Sequence, residues 1–127
     1  MSRDLPPSLA EIEALARRVL ETMPGRLKRH LGLVAIRVEE FPDEGTEAEM
    51  ALDSPLGLYR GVALPRKSVS DPSPQLDMIF LYRRPILDYW CETGEDLAHL
   101  VRHVMIHEIG HHFGFSDADM ARIEASG

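Results

Sequence analysis

Apolar and polar residues alternate with helical spacing over residues 8–22, near the start of the chain. This pattern predicts an amphipathic helix. Ser8 stands three residues before Glu11, a spacing typical of the capping box at a helix N-terminus. Pro24 follows the last apolar position and predicts where the helix ends. Residues 1–7 are polar and proline-rich, and we expect them to form a flexible tail outside the folded domain.

Three later stretches have the composition of β-strands. Residues 33–38 are apolar and β-branched, which predicts a strand in the centre of a sheet. Residues 56–64 are interrupted by glycines and residues 77–82 alternate weakly, and both predict further strands. Residues 65–74 contain three prolines and no apolar period, so we expect a loop there that could border a cleft.

The last third of the chain is predicted to be helical. One helix is expected over residues 85–91, because proline is tolerated in the first helical turn. A long helix is predicted over residues 94–113, with Thr93 as its N-cap, and a short one over residues 117–125. A short surface helix with several acidic residues is predicted earlier, over residues 44–52. Together, these elements predict an α+β fold with a small mixed sheet, in one domain that spans residues 8–127.

The composition supports a single globular domain. The 127 residues are 44% hydrophobic and 28% charged, which suits one modest core. The formal net charge of −7 argues against nucleic acid as a partner. The one cysteine, Cys91, excludes an internal disulfide and is expected to be a small buried apolar group. We find no apolar run suited to a membrane, so the expectation is a cytoplasmic protein, and nothing in the pattern predicts an oligomeric state.

The chemistry of the chain is concentrated in residues 107–117, with the sequence H-E-I-G-H-H-F-G-F-S-D. His107 and His111 stand four residues apart, so on a helix they face the same side and can bind one ion. Glu108 would lie beside the metal, where it can take a proton from a metal-bound water. In a chain of this composition, H-E-x-x-H followed by Gly at position 114 and by Asp or His at position 117 arises by chance with a probability of roughly 2 in 10,000, so the pattern H-E-x-x-H-x-x-G-x-x-D is a specific signal.

The third metal ligand would have to come from beyond the helix, because two histidines leave a tetrahedral zinc site incomplete. Gly114 can adopt a positive φ, which would end the helix and turn the chain back. Asp117 would then reach the metal as an oxygen ligand. In the alternative interpretation, Ser116 caps the next helix and Asp117 only lies in its first turn. The two interpretations are compatible, since a ligand can occupy the start of a helix.

The pattern from His107 to Asp117 resembles the metzincin-type signature, and the chain is most similar to the small bacterial zincin-like metallopeptidases. The resemblance includes residues 56–62, 79–83 and 116–124, and it covers the chain from about residue 8 onward. It implies a reduced zincin-like domain in which the motif helix is followed by a short C-terminal helix.

The resemblance also implies how a substrate would bind. In zincins an edge strand beside the metal pairs with extended substrate, so residues 77–82 are expected to be the edge strand that accepts a peptide. One feature departs from the metzincin pattern. Metzincins carry a methionine turn well beyond the third ligand, whereas Met120 lies in a predicted helix close behind Asp117. A full metzincin architecture is therefore not expected.

These observations lead to the hypothesis of a zinc peptidase. His107, His111 and Asp117 would bind one Zn²⁺, and a water molecule would take the fourth position. Glu108 would act as the general base on that water during attack on a peptide or protein substrate. Two histidines and a carboxylate also suit Fe(II) or Mn(II). The alternative is a protein-interaction module that a metal stabilises without catalysis, since so small a chain has little surface for a deep cleft.

Three other side chains near the motif are weaker candidates. His103 lies one turn before His107 and is expected to be a partly exposed histidine rather than a ligand. His112 points about a quarter turn away from His111 and cannot easily share its ion. Glu124 is the one glutamate after the motif, and its position close to the end of the chain disfavours it as the third ligand.

Overall fold

A computed structural model describes residues 5–45, 55–63 and 75–126 of the chain. It has the predicted α+β architecture, with helices packed against a three-stranded mixed sheet. The elements, in chain order, are α1 (Leu9–Glu21), α2 (Gly25–Lys28), β1 (Val34–Glu39), β2 (Gly57–Ala63), β3 (Gln75–Tyr82), α3 (Arg83–Thr93), α4 (Leu97–His112) and α5 (Asp117–Ser126).

Helix α1 forms where the amphipathic pattern predicts it. Its capping box is complete, because Ser8 Oγ accepts a hydrogen bond from the Glu11 amide at 3.1 Å and Glu11 Oε1 accepts one from the Ser8 amide at 3.3 Å. Ile12 and Ala16 are fully buried on the opposite side of the helix from solvent. The buried face of α1 packs against β1 and α4.

The order of strands in the sheet is β1-β3-β2, with β3 parallel to β1 and antiparallel to β2. Two predictions are therefore wrong: β1 is an edge strand rather than a central one, and β3 is central rather than an edge. Because β3 pairs with a strand on each side, it cannot accept a peptide by β-augmentation. Burial agrees with this order, since Ile79 and Leu81 of β3 are fully buried whereas β1 buries only Ile36 among its side chains.

Helix α4 begins three residues later than predicted. Asp96 is its N-cap, and Asp96 Oδ2 accepts a hydrogen bond from the His99 amide at 3.1 Å. Thr93 belongs to the end of α3, where its hydroxyl donates to the Tyr89 carbonyl at 2.9 Å. Gly94, with a φ of 69°, ends α3 in the left-handed region and separates the two helices.

Helix α4 contributes buried side chains to the hydrophobic core along most of its length. Strand β2 runs against it so closely that a Cβ on Gly57 would lie 2.9 Å from Val104 Cγ1. The second half of the helix carries the motif and is itself held in the core by Met105, Ile106 and Ile109. The buried side chains of α4 are Leu97, Leu100, Val101, Val104, Met105, Ile106 and Ile109.

Three remaining predictions concern the surface. Cys91 is exposed, so its expected burial is wrong. Among the residues described, no helix is long and apolar enough to cross a membrane. The predicted loop over residues 65–74 and all but the first two residues of the predicted helix over 44–52 lie outside the described residues.

Candidate metal centre

The motif lies on the last two turns of α4. The imidazole rings of His107 and His111 have centroids 5.9 Å apart and planes that differ by 83°. Residues four apart share one side of a helix, so both rings project from the same side. His107 is partly buried and His111 is exposed, which places the pair at the edge of the core.

The chain turns sharply at the end of α4, as predicted for Gly114. This residue has a φ of 80°, in the left-handed region that favours glycine. The Phe115 amide donates to the Gly110 carbonyl at 2.8 Å, and the Gly114 amide donates to the His111 carbonyl at 3.2 Å. Those two hydrogen bonds form a Schellman motif, which ends the helix directly after the second motif histidine.

Helix α5 starts immediately after this turn. Ser116 caps it, because the Asp119 amide donates to Ser116 Oγ at 3.1 Å. Asp117 is the first helical residue, and its side chain is 91% exposed. Asp117 Oδ1 lies 3.6 Å from His111 Nε2. The capping role of Ser116 and the proximity of Asp117 to the motif therefore occur together.

A second set of ligand atoms converges on His107. Glu124 Oε1 lies 2.8 Å from His103 Nδ1 and 2.9 Å from His107 Nε2. Within the part of the chain that the structure describes, these three side chains form the one group of three whose ligand atoms lie within 4.8 Å of one another. Two of them are neighbours on α4, and α5 supplies the carboxylate.

The structure thus places the predicted site residues in two adjacent sets: His111 lies beside Asp117, and His107 lies beside Glu124. The sequence carries only a weak signal for His103 and Glu124 as ligands. His103 precedes His107 by four residues, and Glu124 follows Asp117 by seven residues, or two helical turns. Each therefore shares a helix face with a residue of the motif.

The environment of Glu124 suits a cation. Its Oε1 atom is buried and has no hydrogen-bond partner of good geometry, although two imidazole nitrogens lie within 2.9 Å. Arg102 holds the backbone at this point, because its Nη1 donates to the Glu124 carbonyl at 3.1 Å. A buried oxygen without a donor is unfavourable. Two neutral imidazoles and one carboxylate are a donor set that divalent zinc accepts, so these residues fit a metal ion.

The two motif residues His107 and Glu108 have perturbed acidities. Burial raises the pKa of Glu108 to about 7, against a smaller opposing effect of His111. Burial is the main cause that lowers the pKa of His107, and repulsion from His103 is the next. The attraction of Glu124 raises this pKa but does not outweigh the other two effects. A neutral imidazole is the form that binds a metal. A carboxyl group with a pKa near 7 can both accept and return a proton at neutral pH.

His112 points away from both sets, as expected. Its ring packs on Tyr59 of β2 at a centroid distance of 4.4 Å and on Phe113 at 4.9 Å. The hydroxyl of Tyr59 donates to the Asp77 carboxylate of β3. His112 therefore connects the end of the motif helix to the sheet.

Comparison with known protein families gives a match over most of the chain. The family model of the zincin-like metallopeptidases matches residues 31–126. The chain belongs to this family. The match includes the sheet, the motif helix and all of α5, so it contains every ligand candidate named above.

Among solved structures, this member of the zincin-like metallopeptidase family is similar to the conserved hypothetical protein TTHA0227 from T. thermophilus. The two chains are 25% identical, with a TM-score of 0.52, and the alignment covers 84% of this chain and 94% of the other. Among proteins with curated descriptions, none is significantly similar to the chain.

Proposed function

We propose that this zincin-like metallopeptidase hydrolyses peptide bonds with one divalent ion, most suitably Zn²⁺, and with Glu108 as the general base. The observation that carries the proposal is the position of Glu108. It lies between the two motif histidines in the chain, on a partly buried helix face where burial raises its pKa to about 7. A base whose pKa is close to the working pH is the most effective one.

We assign the ion to His107, His111 and Asp117. Two atoms bound to one tetrahedral zinc at ~2.0–2.2 Å lie about 3.3–3.6 Å apart. The 3.6 Å between His111 Nε2 and Asp117 Oδ1 is close to that separation and supports the assignment. Gly114 supports it as well, because its positive φ brings the start of α5 back to the end of the motif helix.

The chemistry that zinc supplies when it is bound is polarisation of the substrate carbonyl and a lower pKa for the attacking water. Glu108 accepts one proton from that water while the water oxygen bonds to the carbonyl carbon. The same carboxyl group then gives the proton to the nitrogen as the C–N bond breaks, so that a carboxylic acid and an amine leave. Glu108 ends each cycle as it began, and no residue of the chain becomes covalently modified.

The test is cleavage of a labelled unstructured protein by zinc-loaded enzyme, for wild type, Glu108→Gln and Glu95→Gln. Glu95 is an exposed glutamate just before α4, so its substitution is the matched control. We expect Glu108→Gln to lose about 100-fold or more of the activity with zinc still bound, because general-base catalysis contributes ~10²–10⁴ in rate. Full activity of Glu108→Gln would remove the proposed mechanism.

A second candidate function is a metal-stabilised interaction module without turnover. The contact of Glu124 with His103 and His107 favours it, because a metal there would tie α5 to α4. Removal of the metal separates the two functions. A structural zinc site loses its fold on chelation, whereas we expect this chain to keep its fold and lose only activity, since Ile12, Ile79 and Ile109 form a core apart from the ligands.

A further inference from the structure

Histidines recur at a fixed spacing along α4. His99, His103, His107 and His111 follow one another at intervals of four residues. The motif uses the last pair, but the pair before it has the same helical geometry. The rings of His103 and His107 are in fact closer, with centroids 4.1 Å apart against 5.9 Å for His107 and His111.

The earlier pair has a carboxylate partner of its own. Glu124 Oε1 faces His103 Nδ1 and His107 Nε2 at 2.8 and 2.9 Å and has no hydrogen-bond partner of good geometry among the described residues. Neither His111 nor Asp117 belongs to this group of convergent atoms.

The position of Glu124 is set by packing. Ile123, its neighbour on α5, is buried in the core, and Arg102 Nη1 donates to the Glu124 carbonyl at 3.1 Å. The carboxylate is therefore held opposite the two imidazoles by the fold itself. A pre-arranged set of ligands binds metal more tightly than one that must be ordered on binding.

We propose that His103, His107 and Glu124 form a second site for a divalent transition metal such as Zn²⁺, which shares His107 with the motif. Two imidazoles and one carboxylate are a donor set that such ions prefer. The site needs neither His111 nor Asp117. It offers no general base, because Val104 follows His103 where Glu108 follows His107.

Because the two sites share His107, metal binding at the second site would affect peptide hydrolysis. This consequence rests on the proposed function. His107 Nε2 faces Glu124, and one nitrogen binds one metal ion at a time. An ion in the second site therefore withdraws His107 from the motif. Zinc in excess would inhibit peptide hydrolysis by this route.

The test is a titration of the metal-free full chain with ZnCl₂ against a chromophoric chelator. His111→Ala should still bind one zinc, whereas His103→Ala/His111→Ala should bind it about 100-fold more weakly or worse. Glu124→Gln in the His111→Ala background should weaken binding about 10-fold or more. The matched control is His99→Ala/His111→Ala, which removes an exposed histidine of the same series and should bind zinc like His111→Ala.

Two results would overturn the proposed second site. One is equally weak zinc binding by His111→Ala and by His103→Ala/His111→Ala, and the other is equally tight binding by both. Circular dichroism of each metal-free variant verifies that the fold is kept, and His103 and His111 lie on the solvent side of α4, where alanine suits a helix.

An activity measurement distinguishes failure of this proposal from failure of the proposed function. We expect excess zinc to inhibit wild type and to need about 10-fold higher concentration in His103→Ala. Identical zinc inhibition in the two proteins would refute the shared use of His107. If no variant cleaves any peptide, the proposed function fails, and the chelator titration still decides whether the second site exists.

Discussion

The side chain of Met120 lies directly against the backbone of Gly110, between the two motif histidines in the chain. A Cβ on Gly110 would lie 2.8 Å from Met120 Cγ and closer still to its sulfur. Met120 is fully buried. Helix α5 therefore meets α4 at the glycine between the two motif histidines, and we expect this contact to set how near Asp117 and Glu124 come to the histidines.

We predict that Gly110→Ala lowers the free energy of unfolding by about 1 kcal/mol. Alanine gains about 1 kcal/mol of helix propensity, but overpacking costs about 1–3 kcal/mol, and a fully buried Met120 has no solvent to move into. Urea denaturation measures the change. Gly25→Ala is the control, because this helical glycine has no atom within 4 Å of an added Cβ, and it should be neutral or stabilise by about 0.4–1 kcal/mol. A Gly110→Ala variant as stable as wild type would contradict the close packing.

Gly114 and Gly94 allow a matched test of whether the turn between His111 and Asp117 affects zinc binding. Their φ angles are 80° and 69°, and neither has an atom within 4 Å of an added Cβ. Alanine at each should cost about 1–2 kcal/mol of stability through backbone strain alone. Only Gly114→Ala should weaken zinc binding, by about tenfold or 1.4 kcal/mol, because only this turn stands between His111 and Asp117. Unchanged zinc affinity in Gly114→Ala would show that the bend does not position a ligand.

Glu108 should make the metal-free protein less stable at high pH. Its pKa is 4.5 in an unperturbed chain and about 7 in the fold. Between these values the folded state keeps a proton that the unfolded state has lost, so stability falls as pH rises. We predict that Glu108→Gln is more stable than wild type by about 1–2 kcal/mol at pH 8, because the partly exposed carboxylate is only partly desolvated.

Urea denaturation in the presence of a chelator, at pH 8 and at pH 5, measures this effect of Glu108. The difference from wild type should be several-fold smaller at the lower pH, because the folded-state carboxyl group is protonated there and the unfolded-state one, with its pKa of 4.5, is partly protonated as well. Glu95→Gln, at an exposed position, should show no such pH dependence. A loss of stability at pH 8 in Glu108→Gln would contradict the burial of this carboxylate.

Tyr59 should contribute stability that disappears in alkali. Burial, and then its hydrogen bond to Asp77, raise the pKa of this phenol above its ordinary value. The contribution is therefore complete below the ordinary tyrosine pKa of about 10 and is lost as pH rises above it. Tyr59→Phe should cost about 1 kcal/mol at pH 8 through the lost hydrogen bond, and its stability should fall less than that of wild type between pH 8 and pH 10.5.

The control for Tyr59→Phe is Tyr89→Phe, since the Tyr89 side chain is exposed. Urea denaturation at both pH values should show that Tyr89→Phe loses as much stability as wild type when the pH rises. If Tyr59→Phe loses as much stability as wild type between pH 8 and pH 10.5, the fold does not raise the pKa of the Tyr59 phenol.

The parts of the structure that depend on local spacing could be predicted from the sequence. The capping box of Ser8 and Glu11 forms as its three-residue spacing requires. The shared helix face of His107 and His111, and the left-handed turn at Gly114, follow from a period of about 3.6 residues and from the missing Cβ of glycine. Each of these features is decided by atoms a few residues apart in the chain.

The tertiary structure decided what the local pattern leaves open. Residues 33–38 and 77–82 have similar apolar composition, and only their pairing made β3 central and β1 an edge. The approach of Glu124 to His103 and His107 depends on how α5 lies across α4, which the Gly110–Met120 contact fixes. Contacts between distant segments depend on the shape of the whole core, and one-dimensional periodicity carries no information about that shape.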